Sequence, residues 1–243
     1  MIRFRRPPEL VAPQNKTTGR YSMRRLFRLK GDRPVATQAR AIATRKGIVD
    51  AAASVFVRHG YAGASISEIA DEAGITKGAV YFHFRSKELL ARAVVDAQDE
   101  LATQVRERSV AGSPSAVAML VAMVRELGVL MRDDVVARAS MRLAVEVPTG
   151  ELEDVGGTYE AWIGPTEHVI GQAVAEGDLR AGLDAAALAR FLVAAFTGMQ
   201  TVSVATSQLE DLMPRLREMW AIVLPGIVAP GREHIIPGLL RRA

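Results

Sequence analysis

Apolar positions along the chain recur with a helical period. Ile48, Ala52, Val55 and Phe56 fall at i, i+4, i+7 and i+8, one stripe of a helix. Arg58-His59-Gly60 predicts its end, with cations in the last turn and then a glycine able to take left-handed backbone. Ser65 and Glu68 have the spacing of a capping box, and Ile66, Ile69, Ala70 and Ala73 give a second, short stripe. Gly74 stops that helix, Ile75 fits the turn, and Thr76 can cap a third helix from about Lys77 to Phe84. Ser86-Lys87-Glu88-Leu89 reads as another cap, opening a long helix to about residue 108. Further helices are predicted over 114–132, 134–147, 158–176, 184–206 and 209–227, the fourth of them capped by Asp184. No segment alternates as a strand does, so the pattern predicts an all-α fold.

The punctuation between these stripes sets the expected domains. Residues 1–36 carry Pro7-Pro8, Pro13, Gly19, Gly31 and Pro34 and are expected to be a basic, disordered extension. Such an arm could lie along DNA phosphates, or translation could begin later, at Met23 or Val35. Residues 37–85 form the helix-turn-helix region and 86–228 a larger helical body. Residues 148–157, rich in Gly and acidic side chains, read as a mobile loop, and 229–243 as a flexible tail.

Composition narrows the function classes. The absence of cysteine excludes disulfides, thiolate metal sites and cysteine nucleophiles. No uninterrupted apolar run reaches the roughly 18 residues of a membrane helix. Arg24-Arg25-Leu26-Phe27 resembles the start of an export signal, but Arg28-Leu29-Lys30-Gly31-Asp32 is too charged to continue it, so a cytoplasmic, nucleoid-associated place is expected. The formal charge of +4 is divided unevenly: +8 over residues 1–36, +2 over 37–90 and −6 over 91–243. A basic front and an acidic back suit a protein that meets a polyanion with one end.

The span 65–84 carries the clearest chemistry. Lys77 and Tyr81 lie one turn apart on one face, while Val80 and Phe84 are free to pack inward. Gly78 lets backbone approach a partner closely. A plain helical hairpin with solvated Lys77 and His83 is the bland alternative at this stage. Catalysis has little support, since His59, His83, His168 and His234 show no metal-ligand spacing and no carboxylate or serine constellation surrounds them. Nothing implies a cofactor. In the body, Met119, Met123, Met131 and Met141 recur at helical spacing and suit either core or an apolar pocket. Thr197, Gln200 and Ser203 on a predicted apolar helix are candidate polar handles for a ligand.

Phe56-Val-Arg-His-Gly-Tyr61, Ile69-Ala-Asp-Glu-Ala-Gly74, Thr76-Lys-Gly-Ala-Val-Tyr-Phe-His-Phe84 and Ser86-Lys-Glu-Leu89 resemble the TetR family of one-component repressors. The resemblance implies a three-helix DNA-binding head, a linking helix, a helical ligand-binding body, and a homodimer formed by the last two long helices. It also implies DNA contacts. Lys77 would reach base edges with Gly78 beside it, and Tyr81 and His83 would touch phosphate or bases. Ser65, Thr76 and Lys87 would hold phosphates, and Thr44 and Arg45 would reach the backbone. Phe84 would be core. Met141-Arg-Leu-Ala144, Tyr159-Glu-Ala-Trp162, Gly177-Asp-Leu-Arg180 and Phe196-Thr-Gly-Met-Gln200 further resemble the gamma-butyrolactone receptors within that family. That likeness implies release of a palindromic operator when a small apolar autoregulator binds, with Trp162 lining the pocket. Tyr159, three residues earlier, would share its face. Some members of this group bind DNA without sensing a butyrolactone, which is the alternative reading.

Overall fold

A computed structural model describes residues 33–147 and 157–243. Most of the basic extension and the expected loop lie outside the described residues, apart from 33–36 and Gly157. Residues 42–243 form one compact unit.

Helix α1 (Arg33–Gly63) starts earlier than the proline-rich sequence suggests. Pro34 falls in its first turn, where a missing N–H interrupts no helical bond. The long part of α1 breaks at Gly60, whose φ of 70° is left-handed. Helices α2 (Ile66–Glu72) and α3 (Lys77–His83) follow, separated by Gly74 at φ 66°. Their ends are fixed by side chains. Ser65 and Glu68 form the full reciprocal capping box on α2, and Thr76 Oγ1 accepts from Ala79 N at 3.2 Å on α3. Ile48, Phe56, Ile69, Val80 and Phe84 close the core of this three-helix head, onto which Leu90 and Val94 also pack.

Helix α4 (Lys87–Ala111) leads from the head into the body, made of α5 (Ala116–Asp133), α6 (Val135–Glu146), α7 (Gly157–Ala175), α8 (Ala185–Ser207) and α9 (Leu212–Ile227). Ser86, Ser115, Asp134 and Asp184 each accept a backbone N–H at a helix start. Helix α8 is long and apolar enough to cross a membrane by length and composition. Here its Leu188, Leu192 and Phe196 pack into the body instead. The turn into α9 is tied by Asp211, which accepts from Ser203 and Ser207 and pairs with Arg215. Arg215, with the two serines, holds the Asp211 carboxyl well below the usual carboxylate range.

Residues 229–243 correct the expectation of a flexible tail. A 3-10 turn (Glu233–Ile235) runs into α10 (Ile236–Leu240), and Leu239 is buried in the body core. Long-range polar contacts hold it. Arg232 pairs with buried Asp178, Arg180 Nε donates to Val228 O at 3.2 Å, and Ala229 N donates to Asp178 O at 3.0 Å. Among the described residues there is no strand, only an isolated bridge between Leu179 and Val228.

Candidate DNA interface and effector cavity

The outer side of the head is built by α3. Val80 and Phe84 turn into the core and fix the rotation of the helix. Lys77, Gly78 and Tyr81 are thereby exposed, with His83 half-buried. A Cβ added at Gly78 would meet only Thr76 Oγ1, at 3.9 Å, so the surface there is flat enough for close approach. Thr76 and Ser65 are occupied as helix caps, although a hydroxyl oxygen keeps a second lone pair. Thr44 and Arg45 are exposed on α1, and the Arg45 guanidinium lies 4.6 Å over the Phe84 ring.

Phe82 was not anticipated. It is 84% exposed beside Tyr81, its ring edge-on to His83 at 5.3 Å. A phenylalanine beside Tyr81, two residues from Val80 and so on the opposite face of α3, is the signal that would have marked it.

Lys87 sits differently from its expected role as a phosphate ligand. Its Nζ donates to Tyr61 O at 2.8 Å and Ala64 O at 3.1 Å, and lies 4.5 Å over the Tyr61 ring. The carbonyls freed where α1 breaks need donors, and this partly buried ammonium supplies two N–H groups to them. Lys87 thus braces the break in α1, and its ammonium keeps a third N–H for another acceptor.

The body contains an apolar cavity walled by α5, α6, α7 and α8. Met141, Tyr159, Trp162 and Thr197 all line it, as expected, together with Phe196 and Thr166. Gln200 does not. It is buried, but one turn beyond Phe196 and Thr197, where α8 has passed the cavity. The free space within it is about 40 Å³. Burial pushes the Tyr159 hydroxyl above its ordinary pKa, with the Thr197 side chain opposing that shift, while Thr197 Oγ1 itself donates to Val193 O at 3.0 Å. Trp162 is 6% exposed and its indole N–H has no acceptor. Trp220 Nε1 also lacks one; it shares a core cluster with the lining residues Leu120, Met123 and Leu192 but does not itself line the cavity.

One helix touches both sites. On α6, Met141 lines the cavity. The next residue, Arg142, donates from Nη1 to Val57 O at 2.6 Å and from Nε to Glu146 Oε1 at 2.5 Å. Glu146 Oε2 accepts from Tyr61 N at 2.9 Å. The clamp closes over Gly60 so tightly that a Cβ there would lie 2.5 Å from Glu146 Oε2. Ser140 Oγ donates to Val94 O at 2.8 Å and fastens α6 to the linking helix.

A small capped head with an exposed reading helix, joined by a long helix to a body enclosing an apolar cavity, is the architecture of a one-component DNA-binding regulator. Comparison with known proteins supplies the family. Residues 48–94 match the model of bacterial regulatory proteins of the tetR family, and residues 114–229 match the tetracyclin repressor-like C-terminal domain. The A-factor receptor protein of Streptomyces griseus is 40% identical over 204 residues, covering 84% of this chain and 71% of that protein. A crystal structure of a gamma-butyrolactone receptor, described as an ArpA-like protein, shares 31% identity at TM-score 0.70, covering 84% of this chain and 97% of that one. CprB from Streptomyces coelicolor, solved with its biological operator sequence, gives 30% identity at TM-score 0.73, covering 84% and 98%. The chain belongs to the TetR family of DNA-binding transcriptional regulators, and these relatives are regulators rather than enzymes.

Proposed function

We propose that this protein is a homodimeric repressor that binds a palindromic operator through α3 and releases it when a gamma-butyrolactone-type autoregulator enters the body. Such a regulator works in the cytoplasm, at the nucleoid. Lys77 and Gly78 would meet base edges, and Tyr81, Phe82, His83, Thr76, Ser65, Thr44 and Arg45 would flank them on the DNA backbone. The dimer would form through α8 and α9. Leu192, Phe196, Leu216 and Trp220 are spent in the subunit core, but Phe191, Val202 and Ile222 remain exposed on the outer faces of those helices. An exposed apolar face of this kind suits a partner helix pair.

The observation that carries the sensing role is the unpaired indole N–H of Trp162 on the cavity wall. A buried donor without a partner costs about 1–3 kcal/mol, which a carbonyl or hydroxyl oxygen of a ligand would recover. The rest of the lining is apolar, which suits an alkyl-bearing lactone. At about 40 Å³ the cavity is far below the roughly 300–1,000 Å³ of sites that hold such ligands. Binding must therefore spread the surrounding helices, and α6 would carry that movement to the α1 break and α4. The ligand shifts the equilibrium only by its preference for the opened body.

The small cavity also favours the second reading, a repressor that senses no butyrolactone. Titration of the operator-bound protein with synthetic gamma-butyrolactones separates the two. The sensing reading expects release of DNA, a change in Trp162 emission in a Trp220→Phe background, and a Trp162→Ala dimer that binds operator but no longer lets go. Release without any Trp162 signal would remove Trp162 from the site. No release by any butyrolactone would leave the effector-independent repressor.

A further inference from the structure

The acidic body contains one strongly basic recess. Four of the fourteen Lys and Arg side chains of residues 91–243 converge there: Arg108 from the last turn of α4, Arg125 from α5, and Arg241 and Arg242 after α10. They line a cleft of about 250 Å³ that also includes Ser113 and the α4 cap residue Gly112. Carboxylates do not match this charge. Arg125 pairs with Glu126, and Arg242 Nη1 donates to Gly112 O at 3.1 Å. Arg108 and Arg241 make no ion pair or side-chain hydrogen bond among the described residues. One arginine would suffice to cap the end of α4, since the helix dipole asks for a single cation there. Four guanidiniums around one recess repel one another unless an anion sits between them.

We propose that this cleft binds a small phosphate-bearing anion, of diphosphate or phosphate-ester class. Guanidinium forks match phosphate oxygens in pairs, and groups arriving from three separate elements can hold more than one oxyanion edge. The occupant is a small molecule and not the operator. At about 1.5 Å of rise per residue, Arg108 lies roughly 30 Å along α4 from the head end at Lys87. Arg241 and Arg242 lie past residue 229, where the match to the family's C-terminal domain stops. Bound anion would bridge the far end of α4 to α5 and the C-terminal segment, restraining the helix that carries the head.

Isothermal titration of the full chain with inorganic pyrophosphate at low salt tests this. The expected result is saturable binding, one per protomer, weakened about tenfold or more by Arg108→Gln with Arg241→Gln and less by Arg241→Gln alone. Both residues are exposed, so the variants should melt with the parent, as circular dichroism would verify. Arg132→Gln, an exposed arginine outside the cleft, and Lys77→Ala in the head should bind pyrophosphate normally. Absence of saturable binding overturns the proposal. So does equal weakening by Arg132→Gln, which would mean diffuse attraction, or loss in Lys77→Ala, which would place the anion on the head.

Discussion

Head and body use the same helices for opposite purposes. In the head the apolar positions are filled, the caps are made, and the chemistry faces outward on Lys77, Tyr81 and Phe82. In the body a donor is left unpaired around an interior space, and the chemistry faces inward on Trp162 and Tyr159. A rigid head suits a partner of fixed shape, because DNA presents the same backbone at every site. A body with imperfect packing has somewhere to go when a ligand arrives. The two are joined by α6, whose Val136, Ala139 and Leu143 share the head's apolar core together with Val147, and by polar contacts of α6 with α1 and α4.

The largest effect should come from emptying the head core. Phe56 is wholly buried against Ile69 and Val80, and Phe56→Ala should cost about 3–5 kcal/mol. Operator binding should vanish while the body remains folded, seen as a split thermal transition by calorimetry. A single transition that shifts as a whole would show that head and body melt together and would break the comparison. Next in size is Lys77→Ala, which removes no packing because the side chain is exposed. Operator affinity should fall by about 1–3 kcal/mol, with random DNA losing less. Equal loss on both in a binding titration would make Lys77 a phosphate contact only.

How far the sequence reaches follows the same division. The capping box of Ser65 and Glu68 and the caps at Thr76, Ser86 and Asp184 depend on residues three apart, and all were legible. Met141 and Thr197 were candidates from helical spacing alone, with core as the equal alternative, while Trp162 came with the family likeness and Tyr159 by sharing its face, since nothing local says which side chains surround a space. Contacts between distant residues were not legible. The C-terminal segment folds because Arg232 meets Asp178 and Leu239 finds the body core, partners that no period reveals. The resemblance puts Lys87 on phosphate, while its acceptors within the chain, Tyr61 O and Ala64 O, become available only where α1 breaks and no local pattern announces them. Gln200 is buried one helical turn beyond the lining residues Phe196 and Thr197, a distance along α8 that its spacing in the sequence does not resolve.

Lys87 gives a sharper test of that division. As a brace it should contribute to stability, and Lys87→Ala should lower it by about 1–2 kcal/mol through two lost charged hydrogen bonds. A phosphate ligand would instead leave melting unchanged and reduce the salt dependence of DNA binding by about one unit. Thermal melting and a salt titration of operator affinity therefore separate the roles in one variant.

The smallest change in stability, and the most informative about the joint, is expected at Glu146. Its carboxylate is about one-third exposed and shared between Arg142 and the Tyr61 amide, so solvent screens much of its pairing. Glu146→Ala should cost no more than about 1 kcal/mol and leave base preference untouched, because nothing on α3 is disturbed. The Tyr61 amide should exchange with solvent faster, since it loses its acceptor, while the Val80 amide in α3 should not change. If α6 is the route between cavity and head, operator release in this variant should need more effector, or fail, although ligand still alters Trp162 emission. Coupling is a free energy and can be lost with both binding sites intact. An unchanged release curve with a faster Tyr61 amide would show that the clamp is structural and that α6 passes the signal to α4 through Ser140 and Val94 rather than to α1.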